Sequence, residues 1–506
     1  MTIPNKTSYY FRDVYTGNFF QEWEKEYELG EDFPDFSRLI RIDSSPKIKD
    51  SSQNGSIVTV VGSNNFNILY HSSEDEKIHS VQISELFTSD DNIKIQSENP
   101  IINASIFCTF VSCKIISQRK FYIKAKNKIT LDIKENSYLN TPDMDMRNNI
   151  LYFKSEDVPM QTFLPPIIKT FDFEEELNVD GSYPPVENIV FSNVRLIPLD
   201  LLKNDGSVIL NASAIFKVFY ESQNGYVMFS RSVPISLSVE NEDIDENTLI
   251  YYFLSVENQS ATPVMDKYGE ERIIRFSYSP SIVLFRIRES IKNLPTDVFS
   301  PTHLLECKSE VLKTSELTGI TTRSFTVEKV FEIPEADFSE IYDSSSVMEI
   351  EEAKQTEQGY FIEGICGISV LGMTEKGIDC VSFTVNFSQT FPELSNDSNY
   401  TSTVSPIQTT AMISGRNTLT VRVNANITVR KYIDKTHTVL SSFSELKKRE
   451  TRDKNLITIY YPSASEHLWD ISKEYGVDPE EIIKENKSSF INGDVLNESV
   501  KTIFIP

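Results

Sequence analysis

The sequence predicts a mainly β chain in which three related β-rich units stand in series before a small βααβ module. Three observations predict it. Phe, Tyr, Ile, Val and Thr recur in short alternating runs, the period-2 pattern of half-buried strands. Landmark segments return at an offset of about 150 positions, the mark of an internal repeat. Only the last stretch of the chain carries apolar residues at helical spacing, between two short apolar strands.

The length of 506 residues is too great for one hydrophobic core. Its 32 Phe and 22 Tyr supply rigid side chains for burial, which favours folded domains over disorder. With 49 basic and 74 acidic residues the formal net charge is −25, so nucleic acid and anionic membrane surfaces are repelled and neither is expected as the main partner. Five cysteines, an odd count without a Cys-x-x-Cys pair, give no disulfide framework. The N-terminus runs from Met1 to Lys6 into polar residues without an apolar signal core, and no run of 18 apolar residues exists. The expectation is a cytosolic chain with no membrane span.

The repeat is read in chain order. Asp35-Phe36-Ser37-Arg38-Leu39-Ile40 returns 302 positions later as Asp337-Phe338-Ser339-Glu340-Ile341-Tyr342, with a weaker copy at Pro184-Pro185-Val186-Glu187-Asn188-Ile189. Next comes a strand with Phe66, Ile68 and Tyr70, matched by Phe216, Val218 and Tyr220 and by Ile368, Val370 and Gly372. A polar turn follows each, then a second alternating run: Ile78 to Phe87, Tyr226 to Leu237, Ile378 to Phe391. Strand, polar turn, strand predicts a β-hairpin in each unit. Each unit ends on a strand opened by arginine (Arg119, Arg272, Arg416) that runs to Ile129, Ile282 or Ile427. The alternating apolar positions are core packing. The recurrent arginine is either a salt-bridging residue at a strand start or a recognition residue, and the first is favoured.

The expected boundaries are a first unit with an N-terminal extension at 1–135, a linker at 136–180, and a second unit at 181–290. A linker at 291–330, a third unit at 331–435, a charged linker at 436–454 and the small module at 455–506 follow. The linkers are assigned from their Pro, Asn and acidic clusters.

In the last module Leu456 to Tyr461 reads as a strand. Ser465 is expected to cap a helix carrying Leu468, Ile471, Ser472 and Tyr475, which Gly476 ends. Asp478-Pro479 starts a second helix with Ile482 and Ile483 facing inward and Asn486 at its end, and Thr502 to Ile505 closes the module as a strand. The run Ser465-Glu466-His467-Leu468-Trp469-Asp470-Ile471-Ser472, then Tyr475-Gly476-Val477, Asn486 and Ile505-Pro506, resembles the LysM module. That resemblance implies N-acetylglucosamine polymer binding in a groove between the loop before the first helix and the loop before the last strand. Here Ser465 stands for the first glycine of the pattern, His467 for a threonine, and Ser499-Val500 for a Pro-Gly. A groove that lets sugar approach backbone amides wants glycine at such places, so Val500 obstructs it. Protein binding is therefore expected over sugar binding. The candidate groove residues are Ser465, Glu466, His467, Asn486, Phe490, Leu496 and Val500. Phe490, Ile491, Val495 and Leu496 either form an anchor patch for a partner or fold back to complete the core. Trp469 is a tempting site residue, with burial in the module's core as the favoured reading.

Three β-rich repeats before a terminal LysM-like module resemble the SPOCS-LysM proteins of endospore-forming bacteria, whose repeats carry the DUF3794 pattern. The likeness lies in a hairpin ending near a tyrosine, Ile68-Leu69-Tyr70, and an arginine that opens a later strand, Ser117-Gln118-Arg119-Lys120. The resemblance implies a fold of three SPOCS-like domains and a LysM domain. It also implies a sporulation role in spore coat assembly, in the mother cell at the forespore surface. The implied partners are a coat-basement ATPase resembling stage IV sporulation protein A, or other coat proteins.

Catalytic signatures are missing. The sequence has no phosphate-binding Gly-x-x-x-x-Gly-Lys-Ser/Thr, no His-Glu-x-x-His and no Gly-x-Ser-x-Gly; Gly367 to Gly372 is one residue too long for the last and sits in an expected strand. His303, Glu306 and Cys307 are too mixed and linker-like a set for a metal site. The chain is expected to be a non-enzyme that needs no cofactor or metal. The alternative is an envelope anchor whose LysM binds peptidoglycan glycan chains.

Overall fold

The computed structural model describes residues 4–93, 100–145, 151–333, 337–394, 398–450, 458–463, 466–487, 489–491, 495–496 and 500–506. The chain is mainly β, as its alternating runs require, and among the described residues two short helices lie near the C-terminus.

Seven strands form the first two-sheet unit: β1 (Asn5–Glu28), β2 (Phe36–Ser44), β3 (Lys47–Asn54), β4 (Ile57–Ser72), β5 (Ile78–Asn92), β6 (Pro100–Ser117) and β7 (Lys120–Pro142). One sheet runs β1-β7-β6; the other places β2, β3 and β5 on the central β4. The second unit holds β8 (Tyr152–Thr170), β9 (Phe173–Asn178), β10 (Asn188–Asn204), β11 (Ser207–Ser222), β12 (Gly225–Glu240), β13 (Thr248–Met265) and β14 (Glu271–Phe299). Its sheets run β10-β11-β12 and β13-β14-β8, with β9 also on β14. The third unit holds β15 (His303–Glu332), β16 (Phe338–Thr356), β17 (Gly359–Thr374), β18 (Gly377–Phe391), β19 (Asn399–Gly415) and β20 (Thr418–Lys448), in sheets β15-β20-β19 and β16-β17-β18.

In each unit the inward faces of the two sheets close on one another. Phe66, Ile68 and Tyr70 meet Phe121, Ile123 and Ala125 in the first; Phe216, Val218 and Tyr220 meet Ile274, Phe276 and Tyr278 in the second; Ile368 and Val370 meet Leu419 to Val429 in the third. The hydroxyls of Tyr70 and Tyr220 donate to the carbonyls of Pro34 and Pro184, both at 2.9 Å. At the corresponding Gly372 an added Cβ would collide with the Glu340 carbonyl oxygen and lie 2.7 Å from the Phe338 ring, so no side chain fits there without a backbone shift. The hairpins after β11 and β17 close tightly, with Ser222 opposite Gly225 and Thr374 opposite Gly377. Gly225 at φ 111° and Gly377 at φ 96° supply backbone conformations that side chains disfavour.

The expected linkers are corrected. Residues 136–180 contain the end of β7 and the whole of β8 and β9, and 291–330 contain the end of β14 and most of β15. Residues 436–448 continue β20, and the N-terminal extension is β1, a full sheet strand. The reason is positional. β1, β8 and β15 are edge strands, where one flank of the backbone needs no partner and proline is tolerated, as at Pro159 and Pro165. Beyond the reach of their third strands, the paired ends of β1/β7, β8/β14 and β15/β20 continue as two-stranded ribbons. The ribbons bury Leu139, Val158, Met160, Leu294, Leu312 and Val439 against each other, while their outer residues face water and mimic linker composition. Of β15 only His303 to Glu316 run past β19, at most roughly 50 Å of extended chain, so the molecule combines three two-sheet heads with a ribbon stalk.

The C-terminal module comprises β21 (Thr458–Tyr460), α1 (Leu468–Tyr475), α2 (Pro479–Glu485), β22 (Phe490–Ile491), β23 (Val495–Leu496) and β24 (Ile503–Ile505), with β21 antiparallel to β24. Leu468, Ile471, Val477, Ile482, Leu496, Ile503 and Ile505 form its core. Among the described residues no helix is long and apolar enough to cross a membrane.

Candidate partner-binding site

The C-terminal helices are set by local chemistry. Gly476, left-handed at φ 67°, ends α1, and Asp478 caps α2 by accepting from the backbone N–H of Glu480 at 2.8 Å, with Pro479 at the first helical position. The cap of α1 is His467, whose side chain makes no capping bond; Ser465, the expected cap and candidate groove residue, lies outside the described residues.

The remaining candidate groove residues do not converge on one surface. Asn486 is buried, and its amide spans the module: Nδ2 donates to the carbonyls of Ile482 at 2.9 Å and Phe504 at 2.6 Å, while Oδ1 accepts from the N–H of Phe504 at 2.8 Å. It ties the end of α2 to the closing strand, with both amide N–H donors committed inside the module. Leu496 is 2% exposed in the core, and Phe490 and Val500 pack against that core. Of the two outcomes left open for the long loop, Phe490 and Leu496 take core completion. Glu466 accepts from the Tyr460 hydroxyl at 2.7 Å and from the N–H of Ser463 at 3.0 Å. The first of these bonds pushes the Tyr460 phenol up to about 12. His467 is exposed beside it.

Trp469 departs from its expected place in the core. It leaves α1 on the face turned to the tip of the second unit's ribbon. There its Nε1 donates to Asp297 Oδ2 at 2.9 Å, and its ring meets Phe299 edge-on at 5.1 Å. Lys473, one turn on, donates to both Asp297 oxygens at 2.7 and 2.6 Å. The Tyr152 hydroxyl reaches Asp478 Oδ2 at 2.7 Å, and its ring stacks on Phe299. Arg449 donates to the carbonyls of Glu474 and Lys473 at 3.1 and 2.8 Å, satisfying the C-terminal end of α1. A register shift between Pro295 and Asp297 marks a bulge that re-aims this stretch of β14 toward the module. Burial works to raise the Asp297 carboxyl, but the bonds from Lys473 and Trp469 hold it below the ordinary carboxylate range. Sequence reasoning missed this contact because its two halves lie more than 170 positions apart.

The recurrent arginine divides by unit. Arg119 donates to Asp35 Oδ1 at 2.6 Å and to the carbonyls of Gly30, Leu29 and Phe33, closing the loop between β1 and β2. Arg272 does the same for Tyr183 at 2.9 Å. Arg416 stands 3.8 Å from Asp337 with its side chain 89% exposed.

No catalytic constellation assembles from the residues singled out. Ser369, in the near-miss glycine motif, lies in β17 against Ser382 at 3.2 Å. His303 engages Thr302, and the Cys307 thiol engages the Val298 carbonyl. Among the described residues no three His, Cys, Asp or Glu side chains gather as a metal set. Comparison with family models, curated proteins and solved structures finds no match.

Proposed function

We propose that the chain is a non-enzymatic spore coat assembly adaptor of the SPOCS-LysM type. In this reading its three two-sheet units are divergent copies of one duplicated domain and its C-terminal module is a LysM fold that recognises protein. It works in the mother cell at the forespore surface, where the module docks a coat-basement ATPase and the units contact other coat components.

The observation that carries the reading is the module's contact with the tip of β14: the module already recognises a folded protein surface through the indole and ammonium of α1 and the cap carboxylate of α2. The positions where a LysM groove would meet sugar point the same way. Asn486 is spent on Phe504 and Ile482, and Val500 packs inward. For the duplication, the support is the shared strand order and the paired tyrosine–proline bonds.

Titration of the full chain with chitin oligomers and, separately, with the coat-basement ATPase tests the proposal. ATPase binding without oligosaccharide binding is the expected result. Tight oligosaccharide binding with no protein binding would overturn it and favour the glycan-anchor alternative. Time-resolved imaging of a fluorescent fusion in sporulating cells tests the location independently.

A further inference from the structure

One buried cluster draws on all three units: Ile40, Leu69 and Ile78 from the first, Val190, Phe191 and Phe219 from the second, Tyr342, Leu371 and Ile378 from the third. Within it the register defines one position occupied three ways. Arg41 lies opposite Leu69, Phe191 opposite Phe219, and Asp343 opposite Leu371. Arg41 touches both of the others. The Arg41 guanidinium lies 5.1 Å from the Phe191 ring centroid, and its Nη1 donates to Asp343 Oδ2 at 3.1 Å. The other Asp343 oxygen accepts from Lys217 of the second unit at 2.6 Å, and Asp43 accepts from Arg41 Nε at 2.6 Å. The side chains of Arg41 and Asp343 are only 10% and 5% exposed.

An all-apolar junction would satisfy the burial equally well. Buried ion pairs add little net stability, because desolvating both charges offsets their attraction, yet a charge left without its partner there is strongly disfavoured. Two copies of the first unit at this junction would oppose arginine to arginine, and two copies of the third would oppose aspartate to aspartate.

We propose that Arg41, Phe191 and Asp343, with Lys217, form an order lock: they make the axial faces of the units a self-recognition surface that accepts one of each unit and rejects a like unit from a second copy of this chain. Polar residues at single core positions set partner choice in the same physical way in coiled coils. The head therefore closes within one chain.

The inference rests on the three-unit reading, and a double-mutant cycle checks that reading separately. If Arg41→Leu and Asp343→Leu were energetically independent, the first and third units would not meet and the reading itself would fail. The lock is tested in the full chain with Arg41→Leu/Asp43→Leu/Lys217→Leu/Asp343→Leu, which replaces the whole network by apolar side chains. The expected variant is folded, melts at or above the parent temperature, and changes in light scattering from monomer to concentration-dependent oligomers. Asp343→Leu alone strands Arg41 and Lys217 and is expected to melt several degrees lower. A quadruple variant that stays monomeric over roughly a hundredfold range of concentration overturns the proposal. So does one less stable than Asp343→Leu alone, because the network would then serve stability and not selection.

Discussion

The indole N–H of Trp469 donates to Asp297 Oδ2 at 2.9 Å, so the aromatic residue of α1 faces the second unit's ribbon while Leu468 and Ile471 fill the module's own core. The C-terminal module is thus held at the stalk tip, and its stability and its placement are separable properties.

Trp469→Ala is expected to undock the module without unfolding it. Small-angle scattering of the full chain should show a longer, more variable particle, while circular dichroism keeps its helical contribution. Ile471→Ala should do the reverse in a module this small: truncating a fully buried isoleucine costs about 2–5 kcal/mol. Loss of the helical signal in Trp469→Ala would show the indole to be a core residue after all.

The docked contact should weaken in acid. Because the Asp297 carboxyl is held low when docked, its contribution is complete above the ordinary carboxylate pKa and is lost as pH falls through the lowered value. In a Trp23→Phe background, which leaves Trp469 as the sole tryptophan, its emission should shift to longer wavelength over that acid window. Asp297→Asn should show the shifted emission already at neutral pH. An identical acid transition in Asp297→Asn would assign it to another group.

Leu496→Asp should unfold the C-terminal module and so abolish partner binding for a trivial reason, since it places a carboxylate among Ile471, Ile482 and Ile503. Asn486→Ala should cost about 1–3 kcal/mol by stranding the backbone N–H and carbonyl of Phe504. Hydrogen exchange at Phe504 is the direct readout: protection there unchanged by Asn486→Ala would show the clamp to be dispensable.

The recurrent arginines should be unequal. Arg119→Ala removes four donated bonds and is expected to cost about 1–3 kcal/mol. Arg416→Ala, at an exposed side chain with one distant partner, should stay within about 0.5 kcal/mol of the parent. Chemical denaturation of the two variants decides it. Equal costs would mean that a shared function, and not loop closure, underlies the recurrence.

The sequence by itself determined the elements. Alternating runs placed β4, β11 and β17 and the hairpins that follow them, because a side-chain period of two is a property of the strand alone. Helical spacing, Gly476 and Asp478-Pro479 placed α1 and α2 for the same local reason. The spacing of Tyr70 and Tyr220 pointed to like surroundings, and both hydroxyls meet a proline carbonyl. What only the tertiary structure decided is which faces are wet. The edge strands β8, with its prolines, and β15, with its charges, pass for linkers, since their ribbons gain a buried face only when three of them pack together. Trp469 looked like core because an apolar spacing cannot say whether a face meets its own module or another. Arg41, Phe191 and Asp343 share no chemistry and no motif; they become neighbours only where three separate strand pairs converge. Local pattern fixes the direction of a side chain relative to its strand or helix, and long-range packing alone decides what stands in that direction.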